Sequence, residues 1–218
     1  MKPASAVTSL LFVAAAALVI LLTGPLLLFN PWFVSFEQGR FDVPASLGTD
    51  QAGVDRVTAP MLADLVRNGG FGESLDGATP ILAPAERSHM RDVGRLVRSL
   101  VLLEGAALVV LVLAGRRLRA ERARRGRLLF IAAAGVGAAA IVLGAFFAIS
   151  FDAAFAAFHA LFFAAGTWQF GPDSNLIRLF PEPFWFEGSL LAGATIVVAA
   201  LIATLIGRRD LSASAGNG

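Results

Sequence analysis

Four long apolar runs constrain the fold of this 218-residue chain more than any other feature. Each run has the roughly 20 residues that a helix needs to cross the hydrocarbon core of a bilayer. The composition agrees: 56% of the residues are hydrophobic and 16% are charged, whereas about 25% are charged in a typical soluble domain. The sequence therefore predicts an all-α integral membrane protein with four transmembrane helices, which we place at residues 6–29, 96–115, 128–150 and 188–206.

The first run has a competing interpretation as a cleaved signal peptide. A signal peptide has an apolar core of about 7–15 residues, followed by small residues at the cleavage site. Here the apolar core is longer, and the sequence Phe29-Asn-Pro-Trp32 follows it. We therefore interpret the run as a membrane anchor.

The charge distribution predicts which side of the membrane each segment occupies. Seven arginines lie in the twelve-residue loop 116–127, and short arginine-rich loops remain cytoplasmic. An even number of spans then places both termini, with Lys2 and the tail 207–218, on the cytoplasmic side. We expect a multi-pass protein of the cytoplasmic membrane with a small extracytoplasmic region, built from residues 30–95 and 151–187.

The first outer segment contains signals for several short elements. Phe33–Phe36 and Phe41–Val43 lie between glycine and proline breaks, which predicts two short strands. The apolar residues between Val54 and Leu65 recur at helical spacing, which predicts an amphipathic helix. Pro60 is expected to kink this helix or to divide it.

The chain contains two histidines, one in each outer segment. Pro84 suits the first position of a helix that enters lipid near residue 96, so His89 would stand about 10 Å above the hydrocarbon edge. His159 lies beside a stripe of phenylalanines at helical spacing, which predicts an interfacial helix. An ionisable group at this depth is costly unless it is used. His159 is therefore a candidate for catalysis; the alternative is an interfacial aromatic residue with a satisfied ring nitrogen.

Other kinds of site have weaker support in the sequence. The absence of cysteine excludes disulfides, thiolate metal sites and cysteine nucleophiles. Ser88 lacks a serine-nucleophile motif, and Glu104 alone is thin evidence for a proton or ion site within a span. We expect no metal and no cofactor, because the histidines lack the close spacing of a zinc motif. A zinc site would require the outer segments to bring both histidines together with Glu86, Asp92 or Asp152.

Several motifs follow one another in a fixed order along the chain. Glu86-Arg-Ser-His-Met-Arg-Asp-Val93 precedes a span, the arginine-rich loop and another span. After them come Phe158-His159, Phe162-Phe163, Gly166-Thr-Trp168 and Leu179-Phe-Pro-Glu182. In combination, and over most of the chain, these motifs resemble the lipoprotein intramolecular transacylase (Lit) family.

The resemblance implies an acyltransferase with a diacylated lipoprotein and membrane lipid as its partners. Such an enzyme moves the sn-2 acyl chain of the diacylglyceryl group to the α-amine of the same lipoprotein's N-terminal cysteine, which gives a lyso-form lipoprotein. The family's paired histidines fall on His89 and His159, with His159 as the general base. We expect no nucleic-acid partner, and the oligomeric state stays open. The residues expected to support catalysis or to bind substrate are Glu86, Asp92, Arg91, Trp168 and Arg178.

The sequence departs from the family pattern at two places. Typical members carry acids after the tryptophan, as Phe-Asp-Pro and Thr-Asp, where this chain has Gly171 and Asn175. If those acids bind substrate, the activity here is altered or lost. The alternative function is a non-catalytic membrane protein that binds lipid or an envelope partner through its outer segments.

Overall fold

The computed structural model describes residues 4–215, so Lys2 and the last three residues of the predicted tail lie outside it. Within that range the chain forms nine α-helices and no strand. The fold is all-α, as the sequence predicts. The helices are α1 (Ala6–Leu27), α2 (Pro31–Arg40), α3 (Val43–Leu47), α4 (Gln51–Arg67), α5 (Pro84–Arg117), α6 (Arg122–Ile149), α7 (Phe151–Phe162), α8 (Asn175–Leu179) and α9 (Glu182–Ala215).

Four of the helices, α1, α5, α6 and α9, are long and apolar enough to cross a membrane. This confirms the prediction of four transmembrane helices. α5 and α9 have 34 residues each, which corresponds to about 51 Å of helix against a hydrocarbon core of about 30 Å. Each therefore has turns outside the core. The residues at which the bilayer surfaces cut the helices remain predictions.

The prediction of two short strands is wrong. Phe33–Phe36 lies within α2, and Phe41 and Asp42 form a turn before α3. Asn30 caps α2, because its side chain accepts a hydrogen bond from the Phe33 backbone N–H at 2.9 Å. Pro31 then occupies a first-turn position of α2, where its fixed φ favours the helix. This local start signal overrides the strand preference of the aromatic residues.

The predicted amphipathic helix is present as α4, in one piece of 17 residues with Pro60 inside it. Asp50 caps its start by accepting a hydrogen bond from the Gly53 backbone N–H at 2.7 Å. Asn68, in the left-handed conformation, ends it. Pro60 does not divide the helix, whose apolar face is buried on both sides of the proline through Val54, Val57, Met61 and Leu65.

The chain forms two compact units. The first contains Met1–Leu26, Leu100–Ala145 and Leu191–Gly218. Its helices pack through alanines and a few larger residues, as expected where helices approach closely in a membrane. The Thr23 hydroxyl donates to Glu104 Oε1 at 2.5 Å, so this acidic residue within a span has a partner on α1.

The second unit contains Leu27–Ser99 and Phe146–Leu190. Its core surrounds the apolar face of α4. Buried residues of the loop before α5 and of α8, among them Phe71, Leu82 and Leu179, pack in the same cluster. The core therefore holds the start of α5 and the segment around α8 in one body, and this body contains both histidines.

Candidate active site

The structure brings the two histidines together within the second unit. His89 lies on the second turn of α5 and His159 lies on α7. Their rings are stacked, with centroids 6.1 Å apart and planes 28° apart. Both side chains are buried, at 6% and 9% exposure. Two imidazoles separated by 70 residues in sequence thus share one small volume.

An aromatic cage surrounds the pair. The His159 ring lies 4.0 Å from the Phe155 ring and 4.6 Å from the Trp168 ring. The His89 ring lies 4.9 Å from Phe163 and 5.8 Å from Phe170. Such surroundings exclude water and lower the local dielectric constant, which strengthens any hydrogen bond that the imidazoles make.

A glycine turn brings Trp168 onto His159. α7 ends at Phe162, and the Phe163 backbone N–H donates to the His159 carbonyl at 2.8 Å. Gly166 has a φ of +80°, a conformation that glycine adopts at little cost. The turn is held by the Thr167 hydroxyl, which donates to the Ala164 carbonyl at 2.8 Å. The Gly-Thr-Trp motif therefore builds one wall of the cage.

His159 has a defined orientation and a free nitrogen. Its Nδ1 lies 2.8 Å from the Phe155 carbonyl oxygen. Because a carbonyl can only accept, Nδ1 carries the proton and Nε2 keeps its lone pair in the neutral ring. Burial lowers the pKa of His159 below its usual value, and the hydrogen bond to Phe155 opposes this in part. The ring is therefore a neutral base at neutral pH.

His89 differs from His159 in its hydrogen bonding. Its Nδ1 is buried and has no hydrogen-bond partner among the described residues. A buried polar atom without a partner costs free energy, so the protein leaves this nitrogen unsatisfied at a site that could present it to a bound group.

Glu86 is buried at 4% exposure, and its hydrogen bonds go to the backbone and to Ser174. Oε2 accepts from the Ala83 backbone N–H at 2.7 Å. Oε1 accepts from the Leu176 backbone N–H at 3.4 Å and from the Ser174 hydroxyl. Glu86 therefore ties the start of α5 to the start of α8, and no hydrogen bond joins it to either histidine. We call this set of bonds the Glu86 clamp.

The remaining predicted residues lie elsewhere around the site. The Trp168 ring packs against His159 at a tilt of 32°. Asp92 forms an ion pair with Arg95, and the exposed side chains of Arg91 and Arg178 form no ion pair within residues 4–215. No group of three or more His, Asp or Glu side chains in the described range could hold a metal ion.

Sequence reasoning did not predict the contacts that complete the site. Phe163 and Phe170 contact His89, Ser174 completes the Glu86 clamp, and the Asn175 side chain donates to the Ile81 carbonyl at 2.8 Å. These contacts join residues between 74 and 94 positions apart. No periodicity or short spacing in the sequence could have indicated them.

Two comparisons with known proteins give matches that cover most of the chain. The sequence profile of the family described as lipoprotein intramolecular transacylase Lit matches residues 7–185. A solved structure of the membrane integral lipoprotein intramolecular transacylase Lit from Bacillus cereus has a TM-score of 0.78 at 19% identity, over 95% of this chain and 96% of that chain. A variant of that protein with a histidine replaced by arginine has a TM-score of 0.79 at 18% identity, over 97% and 94% of the two chains.

A further structure of the Bacillus cereus protein, with a histidine replaced by alanine, has a TM-score of 0.78 at 18% identity, over 95% and 94% of the two chains. No curated protein matches the sequence. At these identities the structural likeness shows that the fold is shared over nearly the whole of both chains.

Proposed function

Because the chain belongs to the lipoprotein intramolecular transacylase (Lit) family, we propose that it moves the sn-2 acyl chain of a lipoprotein's diacylglyceryl group to the α-amine of the same lipoprotein's N-terminal cysteine. The family makes the chain an acyltransferase that acts on lipoproteins, which removes the non-catalytic alternative. The observation that carries the finer proposal is the pair of stacked, buried imidazoles, with centroids 6.1 Å apart.

His159 is the general base of the proposed reaction. Its Nε2 accepts a proton from the α-amine as the amine nitrogen attacks the ester carbonyl carbon. The protein needs no covalent nucleophile, because amine and ester belong to one substrate molecule and are already close. The Nδ1 contact with the Phe155 carbonyl holds the ring in the tautomer that the base requires.

His89 acts on the other side of the same carbonyl. As the tetrahedral intermediate collapses, the bond from the carbonyl carbon to the sn-2 glycerol oxygen breaks, and that oxygen takes the proton that His159 Nε2 accepted from the amine. In the tautomer with its proton on Nδ1, His89 donates a hydrogen bond to the developing oxyanion or to the leaving glycerol oxygen. A bound ester would thus give the unpartnered Nδ1 of His89 its hydrogen bond.

The surrounding residues position the reacting groups. The Glu86 clamp fixes α5 one turn before His89, and Trp168 covers His159. The exposed guanidinium groups of Arg91 and Arg178 are suited to lipid phosphates or to the lipoprotein chain. The arginine-rich loop supports cytoplasmic termini and an extracytoplasmic active site.

The departures from the family pattern are compatible with activity. Gly171 faces open space, with no atom within 4 Å of an added Cβ. Asn175 donates its side-chain N–H to the Ile81 carbonyl at 2.8 Å, a bond that an ionised aspartate cannot make. Asparagine at this place therefore has a structural role in this chain, and the proposed chemistry uses no acid at either position.

The test is the acylation state of a lipoprotein made in cells with and without this chain. Mass spectrometry of the N-terminal peptide should show a lyso-form lipoprotein only when the chain is expressed. His159→Ala should lower its formation by about 10²–10⁴-fold while the protein still inserts in the membrane at the wild-type level. Identical acylation with the wild type and the variant would refute the assignment of His159 as the base.

A further inference from the structure

A second cavity lies between α2 and α4, apart from the histidine pair. Its volume is about 250 Å³, room for roughly eight water molecules at the density of the liquid. α2 contributes residues one helical turn apart, and α4 contributes one face of its first half. The residues that define its chemistry are Trp32, Ser35, Gln38, Asp55 and Thr58.

The cavity is rich in hydrogen-bond acceptors and carries one negative charge. Asp55 is the only charged residue in its lining. Its carboxylate accepts a hydrogen bond from Gln51 Nε2 at 2.8 Å, but it forms no ion pair with any cation in residues 4–215. The Ser35 hydroxyl, which also accepts from Gln51 Nε2 at 3.1 Å, is a further acceptor. A ligand with several donors and a positive charge fits this lining.

Gln38 is among the residues that line the cavity, and it carries a fully buried acceptor without a partner in the part of the chain that the structure describes. Its side chain has 0% exposure. Nε2 donates to the Leu179 carbonyl at 2.9 Å and to the Thr58 hydroxyl at 3.3 Å, and because a carbonyl accepts only, these bonds fix which end of the amide is nitrogen. Oε1 is then left buried without a donor among the described residues, which is uncommon in folded proteins.

Trp32 places an aromatic face at the mouth of the cavity. Its indole is 76% exposed and stacks on Phe36, with centroids 6.0 Å and planes 10° apart, so one face is open to a ligand. A cation held over a tryptophan face is attracted by the ring quadrupole. Trp32 also follows the end of α1, a candidate span, by five residues, which limits its distance from that end to about 18 Å. Tryptophans in such positions lie at headgroup depth.

We propose that this cavity binds the ammonium group of a phospholipid headgroup of the ethanolamine type. Two of the three N–H donors of a primary ammonium match the acceptors of Asp55 and Ser35, and the charge lies between the Asp55 carboxylate and the Trp32 ring. This lipid site is separate from the proposed catalytic site, since among the described residues no lining residue forms a hydrogen bond or a ring contact with His89 or His159.

The test of this site is whether the protein prefers one lipid headgroup to another. The sample is the purified, full-length protein in a detergent that contains no phospholipid. The probes are short-chain phosphatidylethanolamine and phosphatidylglycerol with the same acyl chains, and isothermal titration calorimetry measures their affinities. The ethanolamine lipid should bind about tenfold more tightly than the glycerol lipid. Asp55→Asn, which keeps the shape of the cavity, should abolish this preference.

Two further variants separate the cavity from general effects of charge and folding. Ala59→Leu fills the cavity without changing its charge and should weaken binding of the ethanolamine lipid about tenfold. Asp173→Asn removes an exposed carboxylate outside the cavity and should leave the affinity within about twofold of the wild type. All three variants should melt at the wild-type temperature.

Several outcomes would overturn the proposal. Equal affinity for the two headgroups in the wild type would mean that the cavity holds only water. Equal affinities of the Asp55→Asn and Asp173→Asn variants would place the lipid elsewhere. Tighter binding of N-acetyl-lysine amide than of the ethanolamine lipid would assign the cavity to a protein ammonium group and refute the lipid assignment.

Discussion

Replacing Glu86 by glutamine should loosen the start of α5 without changing the size of the side chain. Glutamine can present its oxygen to the Ser174 hydroxyl and the Leu176 N–H, but its NH₂ group then faces the Ala83 N–H, which donates to Glu86 Oε2 at 2.7 Å in the native protein. One buried hydrogen bond to a charged group is lost, at a cost of about 2 kcal/mol.

Hydrogen exchange measures this loss locally. At 1.4 kcal/mol per factor of ten, a cost of about 2 kcal/mol predicts roughly 30-fold faster exchange in the peptide that contains Ala83. Ser174→Ala removes another donor to the same carboxylate, together with the α8 cap that accepts from the Ile177 N–H at 3.3 Å, so exchange around α8 should accelerate by a similar factor. Activity should fall in both variants, because His89 lies three residues after Glu86 on α5.

Glu182→Gln is the matched control for the Glu86 clamp. Glu182→Gln is the same substitution at an exposed position in the first turn of α9. There the interaction of the carboxylate with the helix dipole contributes at most about 1 kcal/mol. If Glu86→Gln changes exchange no more than this control does, Glu86 is not a clamp and our account of how α5 is positioned is wrong.

Two further predictions follow from burial and close packing. The lowered pKa of His159 keeps the ring neutral down to below pH 6.5. As pH falls, log(kcat/KM) should therefore decrease with slope 1 below the pKa of the substrate α-amine, about 8, and with slope 2 only below pH 6.5. A slope of 2 already at pH 7 would contradict a buried neutral base. Gly24→Ala should destabilise the first unit by about 1–3 kcal/mol, because the added Cβ would lie 2.1 Å from Thr195 Oγ1. The control is Gly105→Ala, whose Cβ would meet no atom within 4 Å and which should not destabilise the unit. Thermal unfolding in detergent compares the two variants.

Sequence patterns predicted the elements whose signals are local. Hydropathy indicated the four long helices, apolar spacing indicated α4, and Pro84 marked the first residue of α5. The strand prediction at Phe33–Phe36 was wrong because it weighed residue preference and overlooked the Asn30-Pro31 start signal. Helix capping is as local as strand preference, so this error was avoidable from the sequence.

The geometry of the site was not predictable in the same way. Glu86 and Ser174 lie 88 residues apart, and the contact between them depends on a core formed by α4, α8 and the loop before α5. The resemblance to a family named both histidines but gave no reason for their stacking. The reason lies in the tertiary structure: α5 and α7 meet at a place where phenylalanines of the second outer segment surround the rings of His89 and His159.

Glu86 and His89 lie three residues apart on α5 but have different roles. Glu86 positions the helix, whereas His89 is the residue proposed to act on the substrate. Glu86 is buried and accepts hydrogen bonds with both of its oxygens. Its carboxylate is therefore already satisfied and has little remaining capacity to bind a substrate. His89 is equally buried, yet its Nδ1 has no partner in the described part of the chain, which costs stability. Such a cost persists only where the surrounding structure compensates for it. The clamp and the core of the second unit supply that compensation, and they leave the imidazole nitrogen free for the ester of the proposed reaction.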